Sequence, residues 1–200
     1  MLPRIVVGLD FDNTIVCYAE SVAKLANKYF DLPKNIKTKA DIKKLVQAKY
    51  GNLVWTKFQG ELYGPGMNYA QPYDGSINAI LKLSSNGVKV LILSHRSRYP
   101  YAGVNHDLHK YARTWLNNNM QVNGKIIIEK DDIFFFETKK EKISAISSYN
   151  CDYFLDDLPE IIDDIGFPDT TKGYLFDPGN NCKARKHLIT HWSELVKVVL

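Results

Sequence analysis

Short apolar stretches that alternate with helical patterns are the feature that most limits how this chain can fold. The stretches are rich in β-branched residues, and polar or small residues follow them. Continuous apolar runs of this kind are typical of strands that are buried on both faces of a parallel sheet. The predicted strands are residues 5–9, 88–93, 125–128 and 153–155, with a fifth candidate at residues 174–176.

Amphipathic helical patterns separate these runs. Apolar residues recur at helical spacing before Asn86-Gly87 and again before Asn117, and Thr138 with Glu141 forms the pattern of a capping box. Strands that alternate with helices predict an α/β protein with right-handed crossovers. The expected fold class is α/β, a Rossmann-like three-layer α/β/α sandwich with a mostly parallel sheet.

One segment, residues 16–72, breaks this alternation. It carries helical patterns around Val22 and Ile42 but no convincing strand, and it ends in a loop marked by Gly64-Pro65-Gly66. We interpret it as a small α-helical insertion after the first strand. The predicted domains are a core formed by residues 1–15 and 73–200 and an insertion formed by residues 16–72.

The charge balance and the cysteines limit the function classes. Lys and Arg number 26 against 22 Asp and Glu, a net charge of +4, which is small for a chain that mainly binds nucleic acid. The three cysteines are far apart and form no CxxC pair, which favours neither a disulfide framework nor a zinc site. The start is too short for a signal peptide, and no apolar run approaches the ~20 residues of a membrane span. We therefore expect a cytoplasmic protein without a membrane or nucleic-acid partner.

Two acidic pairs follow two of the predicted strands. Asp10 and Asp12 come after the first strand, where alternation points both side chains the same way, and Asp156-Asp157 follows residues 153–155. Ligands of open α/β sheets bind at the carboxyl ends of the strands, so the carboxylates converge there if these strands are neighbours. Two like charges ~4 Å apart repel by roughly 4 kcal/mol at an effective dielectric of ~20. Such a cluster requires a cation, and hard oxygen ligands favour Mg²⁺.

Each pair also has an ordinary structural interpretation. Asp10 and Asp12 fit a strand end or a turn, and Asp156-Asp157 fits a helix N-cap before Leu158-Pro159, because proline is favoured at the first helical position. A capping role and a metal-binding role are compatible. The presence of both pairs, each after a buried strand, favours the metal site.

The order of the motifs resembles that of the haloacid dehalogenase (HAD) superfamily, whose phosphatases open with a DxDxT motif after the first strand. The residues that match the family's four motifs are, in order, Asp10, Asp12 and Thr14, then Ser94, then Lys142, then Asp156, Asp157 and Glu160. Lys139, one turn before Lys142 on the same helix face, is a rival for the third motif. The resemblance covers roughly residues 5–177, and the insertion lies where the family places its helical cap.

The resemblance implies a role for each matched residue. Asp10 is the expected nucleophile, which becomes an aspartyl-phosphate, and Asp12 is the expected general acid and base. Dehalogenases of the superfamily lack an acid at the position of Asp12, so the resemblance implies a phosphatase. The expected magnesium ligands are the carboxylates of Asp10 and Asp156 and the backbone carbonyl of Asp12, with Asp157 holding metal-bound water or lying just behind the ligands. The expected phosphate-binding residues are Asn13, Ser94, His95 and Lys142.

Candidate substrate-binding residues lie in two other places. Arg96 and Arg98 follow Ser94 and suit a second phosphate or a carboxylate, although a solvated loop fits them equally well. Trp55 and Gln59 lie in an aromatic stretch of the insertion, which either closes over the substrate or packs against the core. We expect a small phosphorylated metabolite such as a sugar phosphate as substrate, with a nucleoside monophosphate as the first alternative.

Two further functions share parts of the pattern. A nucleic-acid 3′-end phosphatase would use the same motifs, but the modest net charge disfavours it. A receiver-like phospho-switch also combines clustered acids with a Ser or Thr and a Lys. It carries no helical insertion after the first strand, which disfavours it here.

Overall fold

The computed structural model describes residues 4–33, 38–182 and 185–200, so the parts of the predicted domains at residues 1–3, 34–37 and 183–184 lie outside it. None of the helices in these ranges is long and apolar enough to cross a membrane. The strands are β1 (Val6–Leu9), β2 (Val16–Cys17), β3 (Gln71–Pro72), β4 (Lys89–His95), β5 (Gln121–Val122), β6 (Lys125–Ile126), β7 (Ile133–Phe136), β8 (Tyr153–Asp156), β9 (Lys172–Phe176) and β10 (Leu188–Ile189). The helices are α1 (Ala19–Tyr29), α2 (Lys39–Tyr50), α3 (Asn52–Tyr63), α4 (Ser76–Ser85), α5 (Leu108–Asn119), α6 (Lys139–Ser148), α7 (Pro159–Ile162) and α8 (Trp192–Val199).

The chain divides into two compact units. The α/β unit comprises Met1–Val16, Pro72–Arg96 and Asn119–Leu200, and the helical unit comprises Cys17–Gln71 and Ser97–Asn118. The α/β unit is built on a six-stranded sheet in the order β10-β9-β8-β1-β4-β7, and each neighbouring pair in it is parallel. The predicted α/β fold class with a mostly parallel sheet is confirmed.

The strands that carry the two acidic pairs are neighbours. In the register of the sheet, Leu9 of β1 lies opposite Leu155 of β8 on one side and Ile92 of β4 on the other. A Cβ atom at Gly8 would lie 2.5 Å from the Phe154 ring. A larger residue would displace that ring or separate β1 from β8, so glycine at this position allows the two strands to lie in register.

Helices cover the central strands. One core cluster joins Leu91 and Leu93 of β4 to Ile143 of α6 and Phe154 of β8. Elsewhere in the unit, the ring of Phe176 lies 5.9 Å from that of Trp192 in α8, and α8 packs on α4. Burial of these strands explains why their sequences are continuous apolar runs rather than alternating ones.

One predicted strand of the sheet is wrong. Residues 125–128 do not join it; instead β6 pairs with β5 in a small antiparallel hairpin. Asn123 and Gly124, with φ angles of 51° and 76°, both adopt the left-handed conformation that a type I′ hairpin turn requires. The edge strand beside β4 is β7, whose phenylalanines the sequence analysis did not assign to a strand. The Asn-Gly pair is the sequence signal that identifies the hairpin.

The helix that carries Lys142 begins as predicted. The Glu141 N–H donates to Thr138 Oγ1 at 3.1 Å, and the Thr138 N–H donates to Glu141 Oε2 at 3.0 Å, which completes the capping box. From this fixed start, α6 buries Ile143 and Ile146 together with Lys142. The capping box therefore sets the register that turns Lys142 inward.

The helical unit is larger than the predicted insertion. It also contains Ser97–Asn118, which the sequence analysis placed in the core. Trp115 of α5 donates from Nε1 to the Ala70 carbonyl at 2.9 Å, and His106 Nε2 lies 3.0 Å from Glu61 Oε1. Because these contacts join distant parts of the chain, the order of the sequence patterns did not indicate them.

Candidate active site

The carboxyl ends of β1, β4 and β8 meet at one edge of the sheet. Asp10 follows β1 directly, and its backbone N–H donates to the Leu155 carbonyl at 2.9 Å. Asp156 ends β8, Asp157 comes next, and Ser94 lies near the end of β4. Adjacent strands thus bring together residues that are far apart in the sequence, as we expected of the two acidic pairs.

Lys142 lies between two buried carboxylates. Its Nζ is 2.5 Å from Asp10 Oδ1 and 2.6 Å from Asp156 Oδ2. The three side chains are 1%, 6% and 0% exposed, respectively. A buried charge is tolerated only when it is paired. One lysine offsets only one of the two carboxylates, so the trio carries a net negative charge whenever both are ionised.

The geometry separates the two candidate lysines. Lys139 is 44% exposed and forms a surface ion pair with Glu160. Lys142, one turn later in α6, contacts Asp10 directly. Lys142 is therefore the lysine of the carboxylate cluster, and its binding of a phosphate remains a prediction.

Two hydroxyls orient the Asp10 carboxylate. Ser94 Oγ donates to Oδ1 at 2.9 Å, and Thr14 Oγ1 donates to Oδ2 at 3.4 Å. Both hydroxyl residues are fully buried. Together with Lys142 they hold Asp10 in one orientation, which is what a weak carboxylate nucleophile needs.

The chain turns sharply after Asp10. The N–H groups of Ile15 and Val16 both donate to the Phe11 carbonyl, at 3.1 and 3.0 Å. Asn13, with a φ of 59°, adopts the left-handed conformation, which asparagine tolerates better than most residues. The turn leaves Asp12 and Asn13 partly exposed above the buried Phe11. The role of Asn13 in phosphate binding remains a prediction.

Arg96 contacts Asp12. Its Nη1 lies 2.6 Å from Asp12 Oδ1 and 2.7 Å from Oδ2. The Arg96 side chain is 3% exposed and that of Asp12 is 19% exposed. Arg96 was predicted to bind substrate, and its position in the sequence did not indicate this ion pair. Position alone does not indicate which carboxylate an arginine will meet, so no sequence signal was available.

His95 ends β4 beside the same cluster and is half-buried. Its Nε2 lies 3.1 Å from the Glu137 carbonyl oxygen. Burial lowers the pKa of His95, the contact with Glu137 opposes this shift, and Lys142 and Lys139 lower the pKa further. The binding of a phosphate by His95 remains a prediction.

The remaining candidates, Arg98, Trp55 and Gln59, belong to the helical unit. Trp55 is buried, with its ring 5.4 Å from that of Phe58, and so packs the interior of that unit. Arg98 is exposed and forms an ion pair with Asp107 at 3.2 Å, and Gln59 is partly exposed. Their contact with a substrate remains a prediction.

Three carboxylates form a candidate metal site. One oxygen each from Asp10, Asp156 and Asp157 lie within 4.8 Å of one another. When these three carboxyl groups and that of Asp12 are all ionised, Lys142 and Arg96 offset two of the four negative charges, which leaves two to balance. A divalent cation supplies that charge, and a set of hard oxygen donors suits Mg²⁺. The Asp12 side chain does not belong to this group of three carboxylates. The ligand predicted from Asp12 is its backbone carbonyl.

Burial among like charges changes the pKa values of the cluster. Burial raises the pKa of Asp10 to about 7; Lys142 lowers it, whereas Asp156 and Asp12 raise it. Burial also raises the pKa of Asp157 to about 8, with Asp10 and Asp156 adding to the effect. Burial lowers the pKa of Lys142, but the two carboxylates raise it above its ordinary value. A cation that binds here must therefore displace protons.

We expect the metal-free protein to lose stability as the pH rises from about 4 to about 8. The pKa values of folded Asp10 and Asp157, about 7 and about 8, lie above the ordinary value of 3.8, so the folded state binds more protons and stability falls with pH. Mg²⁺ affinity should rise by about tenfold per pH unit for each proton displaced. Thermal unfolding across this pH range, with and without Mg²⁺, measures both effects.

The control for this prediction is Asp157→Asn, which removes one of the two titrating carboxyls. It should flatten the pH dependence of the metal-free protein and weaken Mg²⁺ binding. A melting temperature that rises with pH without Mg²⁺, or a Mg²⁺ affinity independent of pH, would contradict the proton binding expected of Asp10 and Asp157.

No protein-family model matches the sequence. None of the curated proteins matches it either. Similarity is found among solved structures.

Three of these structures illustrate the likeness. The HAD-hydrolase YfnB from Bacillus subtilis, bound to magnesium, has 15% identity and a TM-score of 0.61, with 98% of each chain covered. A protein described as a predicted phosphatase from Clostridium acetobutylicum has 15% identity and a TM-score of 0.60, again with 98% of each chain covered. A protein described as a dehalogenase has 14% identity and a TM-score of 0.53, with 99% of this chain and 98% of that chain covered. At these identities the likeness shows the fold, and the chain has a HAD-like α/β fold.

Proposed function

We propose that this protein is a Mg²⁺-dependent phosphomonoester hydrolase that works through an aspartyl-phosphate on Asp10. The observation that carries the proposal is the fixed Asp10 carboxylate, which contacts Ser94 and Lys142 and shares a candidate metal site with Asp156. An anionic nucleophile attacks an anionic phosphate only where nearby positive charge offsets their repulsion. The buried lysine and a divalent cation at the three-carboxylate site would provide that charge.

The chemistry proceeds in two halves. In the first, an Asp10 oxygen attacks phosphorus, the bond to the ester oxygen breaks, and Asp12 gives its proton to the leaving oxygen. In the second, water attacks phosphorus, Asp12 takes a proton from that water, and the bond between phosphorus and Asp10 breaks to release inorganic phosphate. Lys142 and Ser94 bind the phosphoryl oxygens. Mg²⁺ held by the three-carboxylate site would supply charge neutralisation.

Asp12 favours a phosphatase over a dehalogenase. A halide leaves as a stable anion and needs no proton, whereas an alkoxide leaving group does. The matched structures include one described as a dehalogenase and one described as a predicted phosphatase, so the fold alone does not separate the two reactions. The carboxylate two residues after the nucleophile supports the phosphatase.

A small phosphorylated metabolite such as a sugar phosphate is the substrate that we propose, and the helical unit is the proposed cap. The crystal of the Bacillus subtilis hydrolase is described as revealing interdomain movement. A cap that closes excludes bulk water from a reactive phosphoenzyme. Arg98 and Gln59, which are not buried within the helical unit, are better candidates for substrate contact than the buried Trp55.

Asp12→Asn should leave substrate binding largely intact and lower kcat by about 10²- to 10⁴-fold, the usual contribution of an acid-base group. Asparagine keeps the size of the side chain but neither gives nor takes a proton at this position. Steady-state kinetics with Mg²⁺ and a phosphomonoester measure the effect. The matched control is Asp152→Asn, an exposed aspartate just before β8 that accepts from the Val6 N–H at 2.8 Å. Full kcat in Asp12→Asn would show that the acid-base assignment is wrong.

The proposed function is tested by a substrate screen with Mg²⁺ and with EDTA. The panel contains sugar phosphates, nucleoside monophosphates, oligonucleotides with a 3′-phosphate, and haloacids. We expect Mg²⁺-dependent release of phosphate, with sugar phosphates hydrolysed fastest. A preference for nucleoside monophosphates or for oligonucleotides would change the substrate class. Release of halide, or no phosphate release from any compound, would refute the proposal.

A further inference from the structure

Arg96 has contacts with Phe136, Phe11 and Asp12 within the α/β unit. Its backbone N–H donates to the Phe136 carbonyl at 2.9 Å, which extends the pairing of β4 with β7 by one residue. Its guanidinium carbon lies 5.7 Å from the centroid of the Phe11 ring, and Phe11 in turn meets Phe135 edge-on at 5.8 Å. The side chain of Arg96 is 3% exposed, so it is packed at the end of β4 rather than extended into solvent.

The contacts of Arg96 with Asp12 fix the orientation of that carboxyl group. Nη1 has protons to donate and no lone pair, so both Asp12 oxygens, at 2.6 and 2.7 Å, act as acceptors. Two contacts from a single buried nitrogen hold the Asp12 carboxyl group in one orientation at the end of β1.

We propose, on the basis of the proposed phosphatase function, that Arg96 is a positioning residue for hydrolysis of the aspartyl-phosphate. Once Asp12 has given its proton to the leaving oxygen, it is a carboxylate, and Arg96 Nη1 holds it in one orientation. Water then forms a bond to phosphorus, its proton passes to Asp12, and the bond between phosphorus and Asp10 breaks. Inorganic phosphate leaves, Asp10 returns as a carboxylate, and Arg96 neither gains nor loses a proton.

The proposal predicts an uneven effect on the two halves of the reaction. Arg96→Lys keeps the positive charge but loses the fixed planar group, and Arg96→Gln loses the charge. In both variants kcat should fall by about 10- to 100-fold, the usual contribution of a hydrogen bond to a charged group. kcat/KM reports the steps up to formation of the aspartyl-phosphate and should change by less than about threefold, so KM falls with kcat. The phosphoenzyme should accumulate.

The test uses the full chain with Mg²⁺ and p-nitrophenyl phosphate. It measures kcat, KM and the steady-state amount of phosphoenzyme, and thermal unfolding reports whether each variant folds. The matched control is Arg185→Lys, in which the arginine also pairs with an aspartate, Asp163. A double-mutant cycle adds Arg96→Lys to Asp12→Asn, where it should change kcat by less than about twofold, since Arg96 acts through Asp12.

Different results would contradict the role of Arg96 and the proposed phosphatase function. An active wild type whose Arg96 variants lose kcat and kcat/KM equally would overturn the inference and leave the phosphatase function standing. The inference would also be overturned if the effects of Arg96→Lys and Asp12→Asn on kcat multiply in the double-mutant cycle. If Arg96→Gln does not fold, Arg96→Lys alone decides between these results. A wild type that hydrolyses no phosphomonoester would overturn both.

Discussion

Replacing Asp10 by asparagine is expected to lower Mg²⁺-dependent phosphatase activity by about 10⁴-fold or more, the scale on which loss of the nucleophile acts in other enzymes with a covalent intermediate. The amide has nearly the shape of the carboxylate, so an amide oxygen at the position of Oδ1 can still accept from Ser94 and Lys142. It does not form the acyl-phosphate. The loss should therefore fall on the chemical step, which single-turnover kinetics isolate.

The stability of this variant provides an internal control. Asp10→Asn removes one carboxylate from a cluster with an excess of negative charge, and Asp156 remains to pair with Lys142. We expect the metal-free variant to unfold at the same temperature as the wild type or at a higher one. Asp152→Asn should match the wild type in activity. An Asp10→Asn protein that retained more than about one tenth of the wild-type rate would exclude Asp10 as the nucleophile.

Lys142→Met is expected to destabilise the metal-free protein by about 3–5 kcal/mol at high pH, the cost of removing one partner from a buried ion pair. Methionine fills the space of the lysine stem but leaves Asp10 and Asp156 buried without a cation. The cost should shrink below pH 7, because the pKa of Asp10 is already raised to about 7 and its carboxyl then takes a proton. Denaturant unfolding at several pH values measures the change in the free energy of unfolding.

The matched control lies one helical turn away in the same helix. Lys139→Met removes an exposed partner of Glu160, and such surface pairs contribute about 0–1 kcal/mol. Mg²⁺ should restore part of the stability of Lys142→Met and none of that lost in Lys139→Met. Equal losses in the two variants, or a loss in Lys142→Met that does not depend on pH, would mean that Lys142 is not the charge partner of the buried carboxylates.

The sequence was sufficient to predict the centre of the sheet and its acidic edge. β1, β4 and β8 are buried on both faces, so each is a continuous apolar run, and the polar residues that follow them lie at the same edge. The capping box of α6 fixed the start of that helix, which placed Lys142 on its buried side. These features depend on local sequence or on the parallel sheet alone.

The features that the sequence did not predict depend on contacts between distant residues or on a weaker signal. The ion pair of Arg96 with Asp12 depends on side-chain directions at two strand ends, which no sequence period encodes. The placement of Ser97–Asn118 in the helical unit depends on contacts such as that of Trp115 with Ala70. The apolar residues 125–128 resembled a strand of the sheet, but the Asn123-Gly124 turn ties β6 to β5 in a hairpin.

The proposed mechanism is tested most directly by locating the phosphoryl group on the enzyme. Wild-type protein is mixed with Mg²⁺ and p-nitrophenyl phosphate and quenched in acid within a turnover, and the peptide that contains Asp10 is analysed by mass spectrometry. We predict a phosphoryl group on Asp10 that is absent without Mg²⁺, absent in Asp10→Asn, and more abundant in Arg96→Lys. A phosphoryl group on another residue, or phosphate release at the full rate from Asp10→Asn, would contradict it.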